Sequence, residues 1–141
     1  MHYQEHSINP MLLGYGTLLE FAYNRKANVI TRGMSGYTTR DGLSVLPGMI
    51  NEFQSHPPAL ITIAFGTNDA LRRPLPAVEY GDNLRKMVKE YVQAFSNATT
   101  IVLVTPPPPS DNTEYKKVEP MAKECLAVAA EINISVVDIW N

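Results

Sequence analysis

Apolar positions along the chain recur at two different spacings. Over residues 79–95 they fall three or four apart, as at Leu84 and Val88, and this spacing is typical of an amphipathic helix. Residues 60–65 instead form a short and almost wholly apolar run, which is typical of a buried strand. Segments of the two kinds alternate from one end of the chain to the other. The predicted helices cover residues 11–25, 41–54, 79–95 and 113–131, and the predicted strands cover residues 28–31, 60–65, 101–105 and 134–139.

The order of these elements, α-β-α-β-α-β-α-β, predicts a single α/β domain over residues 1–141. In such a domain a parallel sheet lies between helices on both of its faces, which gives a three-layer α/β/α sandwich. Doubly wound domains usually begin with a strand, whereas residues 1–10 are too polar to form one. The chain also stops soon after its last predicted strand. We therefore expect a sheet that lacks its first strand and its last covering helix. Pro47 indicates either a break in the second helix or its true start.

Composition and charge argue against several classes of function. Apolar residues make up 45% and charged residues 18% of the chain, as in ordinary globular proteins. The net charge of −2 and the scattered lysines and arginines argue against a nucleic-acid partner. No apolar run approaches the roughly 18 residues that span a bilayer, and no signal-peptide pattern is present, so a cytoplasmic location is the default expectation. Cys125, the single cysteine, excludes an internal disulfide; its place on an apolar helix stripe predicts a buried thiol.

Two polar turns that contain glycine follow predicted strands. Residues 66–69, Gly-Thr-Asn-Asp, come directly after the strand at 60–65, and residues 32–39 follow the strand at 28–31. Because the carboxyl ends of parallel strands meet at one edge of the sheet, where ligands collect, we expect the two turns to form one pocket with amide donors. No glycine-rich phosphate loop follows a strand, which argues against a phosphate-binding domain.

Four segments together resemble the SGNH (GDSL) hydrolases, and most of all the branch of isoamyl acetate-hydrolysing esterases. They are Arg-Gly-x-Ser-Gly-Tyr-x-Thr-Arg at residues 32–40, Phe-Gly-x-Asn-Asp-Ala at 65–70, Pro-x-x-Glu-Tyr-x-x-Asn-Leu at 76–84 and Val-Thr-Pro-Pro-Pro at 104–108. The resemblance extends over nearly the whole chain. It implies an SGNH/flavodoxin-like fold and a hydrolase that acts on small or short-chain carboxylic esters by serine acyl transfer. It implies a small-molecule substrate and no cofactor or metal.

The resemblance assigns Gly36 and Asn68 to an oxyanion hole. Attack on an ester places negative charge on the carbonyl oxygen, and each fixed N–H donor that stabilises this charge is worth about 10²–10³ in rate. By motif position the donors are the backbone N–H of Gly36 and the side-chain amide of Asn68. Taken alone, Gly66 also fits a strand terminator, and Asn68 with Asp69 also fits a helix cap or turn. We interpret Asp69 as a structural residue that binds loop amides.

No residue of this chain clearly matches the nucleophile or the general base of that family. The family's Gly-Asp-Ser and Asp-x-x-His motifs are both absent. Ser7 is one candidate nucleophile; in the alternative alignment, Gln4 and Ser7 match positions downstream of the nucleophile, which then falls at or before Met1. The Asp-x-x-His pair is expected past Asn141. Since loss of the catalytic residues leaves only about 10³–10⁴ over water, we expect a weak or inactive esterase. A non-catalytic remnant that binds or regulates is the alternative.

Several other residues have two interpretations each. Arg32 and Arg40 are candidates for binding an acidic group of a substrate, and a solvated or loop-bracing arginine is the alternative. Tyr37 and Trp140 either line an acyl pocket or pack in the core. His56 precedes a predicted strand and so belongs to the opposite end of the sheet from the pocket. Unpaired strand edges predict self-association of the chain.

Overall fold

The computed structural model describes residues 14–141, apart from the side chain of Asn97. The described residues form two compact units, residues 14–35 and 36–141. In chain order the elements are α1 (Tyr15–Ala22), α2 (Thr39–Phe53), β1 (Leu60–Ala64), α3 (Thr67–Leu71), α4 (Ala77–Phe95), β2 (Thr100–Val104), α5 (Asn112–Glu131) and β3 (Ser135–Val137). A 3-10 turn, Ser96–Ala98, follows α4. Within residues 14–141, no helix combines the length and the apolar character that a membrane crossing requires.

The first unit contains α1, inside the range that the sequence predicts for a helix. The predicted strand at residues 28–31 is wrong, because the structure has no strand there. An apolar run supplies only a preference for the extended state, and a strand also requires a partner and a buried face. Ile30 is 52% exposed, so residues 28–31 do not provide a buried face. The side chains of α1 are likewise not buried.

The second unit is built on a parallel sheet with the strand order β1-β2-β3. Ile61 lies opposite Ile101 and Ile63 opposite Leu103, and Leu103 in turn lies opposite Val136. Each strand is joined to the next through a helix, as parallel neighbours require. The α/β class predicted from the sequence is therefore confirmed.

The two faces of the sheet differ in their environment. Ile63, Ile101 and Leu103 point to one face and are buried in a core with α4 and α5. Because side chains alternate along a strand, Leu60 and Val137 point to the other face, and they are 55% and 48% exposed. The helical core therefore lies on one side of these three strands.

The helices bury the stripes that their spacing predicts. In α4, Leu84, Val88, Tyr91 and Phe95 are all buried. In α5, Cys125 is buried as predicted, and burial raises the pKa of its thiol to about 11, so it stays protonated. Pro47 neither breaks nor starts α2, which continues through it. A proline removes one backbone N–H hydrogen bond from the helix. Burial of the neighbouring Leu46 stabilises α2 in spite of this loss.

Candidate oxyanion site

The site lies at the carboxyl end of β1, where the chain turns through Gly66 into α3. Gly66 has a φ of 124°, in the region that favours glycine. A Cβ atom here would lie 2.9 Å from Cγ of Pro106, which follows β2. The segments that follow β1 and β2 therefore pack against each other at one edge of the sheet. This turn places Asn68 and Asp69 in the first turn of α3.

The carboxylate of Asp69 joins this turn to the start of α2. Asp69 is fully buried. Its Oδ1 accepts hydrogen bonds from the backbone N–H of Thr39 at 2.8 Å and from the Thr39 hydroxyl at 2.6 Å, and its Oδ2 accepts from the N–H of Gly66 at 3.2 Å. The side-chain amide of Asn83, on α4, donates to the same hydroxyl at 3.0 Å. Asp69 thus has the structural role that the sequence predicts, with two turns held by one carboxylate.

The amide of Asn68 contacts the turn that contains Gly36. Its Nδ2 donates to the backbone carbonyl of Tyr37, the residue after Gly36, at 2.9 Å. An amide nitrogen carries two hydrogens, so this bond orients the group and leaves a second N–H for another acceptor. Gly36 has a φ of 81°, and its backbone N–H has no hydrogen-bond acceptor within the part of the chain that the structure describes. The structure therefore brings Gly36 and Asn68 together at one edge of the sheet.

A second brace holds the same turn from outside. Arg73 forms an ion pair with Asp41 and donates from Nη2 to the carbonyl of Gly36 at 3.3 Å. Asp41 Oδ2 also accepts from the N–H and the hydroxyl of Thr38, each at 2.7 Å. The Thr38 N–H, the Arg73 guanidinium and the Thr38 hydroxyl together lower the pKa of Asp41 to about 2. Asp41 is therefore charged at neutral pH and fixes both the turn and the start of α2.

Two of the arginines near this turn differ in what they bind. Arg40 forms a two-pronged ion pair with Glu79, at 2.5 and 2.8 Å, which links α2 to α4. Arg72, which belongs to none of the four motif segments, lies against Gly36. Its Nη1 and Cζ atoms are 3.2 and 3.3 Å from the position that a Cβ of Gly36 would occupy. The only signal in the sequence was the arginine pair at residues 72 and 73, separated from the Gly-x-Asn-Asp turn by two residues.

The other candidate residues are not part of this arrangement. Ser7, with Gln4 and His6, lies outside the described residues. His56 comes before β1, at the amino end of the strand, and its Nδ1 lies 3.0 Å from the Ser55 hydroxyl. Trp140 packs against Tyr115 of α5, with ring centroids 4.5 Å apart, so the packing interpretation applies to it. Within residues 14–141 the site consists of donors, without a histidine at the same end of the sheet.

Comparisons with known proteins agree with the fold and with the family resemblance. Residues 7–141 match the model of the GDSL-like lipase/acylhydrolase family. A GDSL esterase/lipase of Arabidopsis thaliana is 34% identical over 91% of this chain and 63% of its own length. An isoamyl acetate-hydrolyzing esterase 1 homolog of Rattus norvegicus is 33% identical over 91% of this chain and 60% of its own length. The chain thus spans about three fifths of the length of these relatives.

Solved structures give the same result. A lipase/acylhydrolase from Enterococcus faecalis superposes with a TM-score of 0.69 at 26% identity, over 98% of this chain and 70% of that one. An acetylxylan esterase from Geobacillus stearothermophilus superposes with a TM-score of 0.69 at 22% identity, over 89% of this chain and 61% of that one, and supports the fold. The family match covers nearly all of the sequence, and the chain therefore belongs to the GDSL-like lipase/acylhydrolase family.

Proposed function

We propose that this chain carries the oxyanion-binding part of a carboxylic ester hydrolase. The backbone N–H of Gly36 and the second N–H of Asn68 donate to the ester oxygen that becomes negative during attack. The observation that carries the proposal is the 2.9 Å bond from Asn68 Nδ2 to the carbonyl of Tyr37, which orients the amide beside Gly36. Donors fixed before the reaction cost no reorganisation when charge develops. Asp69 and Arg73 supply that fixation.

The proposed reaction is acyl transfer on small or short-chain esters. A serine oxygen bonds to the carbonyl carbon, a base takes its proton, and the carbonyl electron pair moves onto the oxygen held by Gly36 and Asn68. When that pair returns, the alcohol leaves with the proton, and water repeats the sequence to release the acid. The name of the rat relative, an isoamyl acetate-hydrolyzing esterase homolog, supports a small ester as substrate.

The source of the nucleophile divides the proposal into two alternatives. Ser7 is the candidate nucleophile within this sequence, with the alternative that this chain has neither nucleophile nor base. In that second case it is a very weak esterase, or a binding or regulatory module that retains the oxyanion pocket. A cytoplasmic location stays a prediction from the sequence, and so does self-association through exposed strand edges.

A fluorophosphonate probe and a p-nitrophenyl acetate assay test these alternatives. Serine labelling together with turnover that disappears in Ser7→Ala identifies Ser7 as the nucleophile. Absence of labelling, with slow turnover that falls at least about tenfold in Asn68→Ala, fits an oxyanion pocket without its nucleophile. Asn51→Ala is the matched control, because Asn51 is exposed on α2. Turnover that is unchanged in Asn68→Ala, with the fold verified by urea unfolding, contradicts the proposed role of Asn68.

For a chain without measurable turnover, binding replaces rate as the measurement. Titration of the ¹⁵N-labelled chain with a short-chain ester is expected to shift the Gly36 backbone amide and the Asn68 side-chain amide in NMR spectra. The signals of these two amides report directly on the proposed donors. Shifts confined to other parts of the chain contradict the proposal, whatever the source of the nucleophile.

A further inference from the structure

Arg72 brings a positive charge to the edge of the candidate oxyanion site. Its Nη1, Cζ and Nε atoms lie 3.2, 3.3 and 3.5 Å from the position of a Cβ on Gly36, so the guanidinium lies along that glycine. The side chain is exposed. No carboxylate of the described residues forms an ion pair with it.

The neighbouring arginines are already engaged. Arg73 is paired with Asp41, and Arg40 is paired with Glu79. The buried carboxylate of Asp69 accepts three hydrogen bonds from Thr39 and Gly66. Arg72 is therefore a cation beside Gly36 whose guanidinium has no ion-pair partner among the described residues and can donate to a ligand.

We propose that Arg72 makes this site selective for esters that carry a carboxylate near the scissile carbonyl, such as half-esters of short dicarboxylic acids. The inference rests on the proposed function of Gly36 and Asn68. When the Gly36 N–H holds the ester carbonyl oxygen, a carboxylate whose carbon is two or three bonds from the ester carbonyl carbon comes within reach of the Arg72 guanidinium. Its planar fork of donors matches a carboxylate in shape and charge. A neutral diester of the same length has no such partner.

The size of the effect follows from the exposure of the side chain. Pairs between exposed charges are weak, because water and salt screen them. We expect the half-ester to bind about fivefold more tightly than the neutral diester at low ionic strength, with less discrimination as salt is added. A role of Arg72 in holding the oxyanion itself would instead favour both esters alike.

Monomethyl succinate and dimethyl succinate form a suitable pair of probes. Each is titrated into the ¹⁵N-labelled chain at low salt, and the amide signals of Gly36 and Asn68 are followed. The wild-type chain should prefer the half-ester about fivefold. Arg72→Gln should bind both esters equally, and Arg72→Lys should keep part of the preference. Lys89→Gln removes the same charge from an exposed position on α4 and should leave the preference unchanged.

The outcomes separate this inference from the function on which it rests. Equal binding of the two esters at Gly36 and Asn68 in the wild-type chain overturns the role of Arg72 and leaves the oxyanion site intact. A preference for the half-ester that persists in Arg72→Gln overturns it as well. If neither ester shifts the Gly36 and Asn68 signals, the proposed function fails together with the inference.

Discussion

Asp69 is a buried carboxylate whose two oxygens accept hydrogen bonds from the donors around it. Thr39 supplies two hydrogen bonds and Gly66 a third. Thr39 lies two residues after Tyr37, and Gly66 lies two residues before Asn68. Burial of a charge without such partners is strongly unfavourable. Asp69 therefore acts on the candidate site through backbone position, and its removal should affect folding before it affects chemistry.

Asp69→Asn tests this role. The new amide group must place an N–H donor against another donor, either Thr39 or Gly66, and leaves a hydrogen bond unmade in a buried place. We expect a loss of about 2–4 kcal/mol in the free energy of unfolding, measured by urea titration. Asp82→Asn changes the same group at an exposed ion pair with Arg85 and should cost less than about 1 kcal/mol. Equal losses in the two variants would contradict a buried anchoring role for Asp69.

The ionisation of Asp41 makes the stability of the fold depend on pH. The pKa of this carboxyl is lowered from 3.8 to about 2 by Thr38 and Arg73. Because the folded-state value lies below the unfolded one, the stabilisation is fully present above about pH 4 and is lost as the pH falls toward 2. The urea midpoint of the wild-type chain should therefore exceed that of Asp41→Asn at neutral pH, and the gap should narrow below about pH 4. A gap that does not change with pH would show that Asp41 acts through its shape alone.

At the scale of single elements, periodic patterns in the sequence predicted the long helices well. The buried positions of α4 follow directly from apolar spacing over five turns. Helix α3, from Thr67 to Leu71, was missed because five residues are too few to show a period. The same limit applies to the candidate site. Gly36 and Asn68 were identified by motif, whereas Arg72 depends on where a short loop directs a side chain, which no pattern records.

Two glycines in α2 offer a matched comparison within one element. A Cβ at Gly42 would lie 2.7 Å from Cζ of Phe65 and 2.8 Å from Cε of Met87, whereas a Cβ at Gly48 would have no atom within 4 Å. Alanine at position 48 should therefore stabilise the protein by up to about 1 kcal/mol through helix propensity. Alanine at position 42 should destabilise it by about 1–2 kcal/mol, because overpacking outweighs that gain. Urea unfolding of both variants measures the difference, and a Gly42→Ala protein as stable as Gly48→Ala would contradict the close contact of α2 with Phe65.

At the scale of the whole molecule, the alternation of helix and strand was sufficient to predict the α/β class. The error at residues 28–31 has a physical cause, since a strand exists only through its partners and these cannot be read from its own residues. The parallel strands β1, β2 and β3 were predicted correctly, because Ile63 of β1 and Leu103 of β2 are buried and Val136 of β3 packs, partly buried, against the same core. The sequence pattern did not show that the two faces of the sheet differ in exposure, since strand apolarity does not specify what covers it.

The exposed surface of β1 supports the prediction that copies of this chain associate. Within the described part of the chain, β1 pairs on one side only, with β2, and Leu60 at its start is 55% exposed. An unpaired strand edge with apolar side chains is a template for pairing with another chain. Sedimentation velocity should show a mean mass that rises with protein concentration, and Leu60→Lys should reduce that rise because a charge at an edge opposes pairing. Val92→Lys makes a comparable change on α4, where Val92 is 48% exposed, and should leave association unchanged. A wild-type chain that stays monomeric at every concentration, or a Val92→Lys variant that dissociates as Leu60→Lys does, would contradict association through this strand.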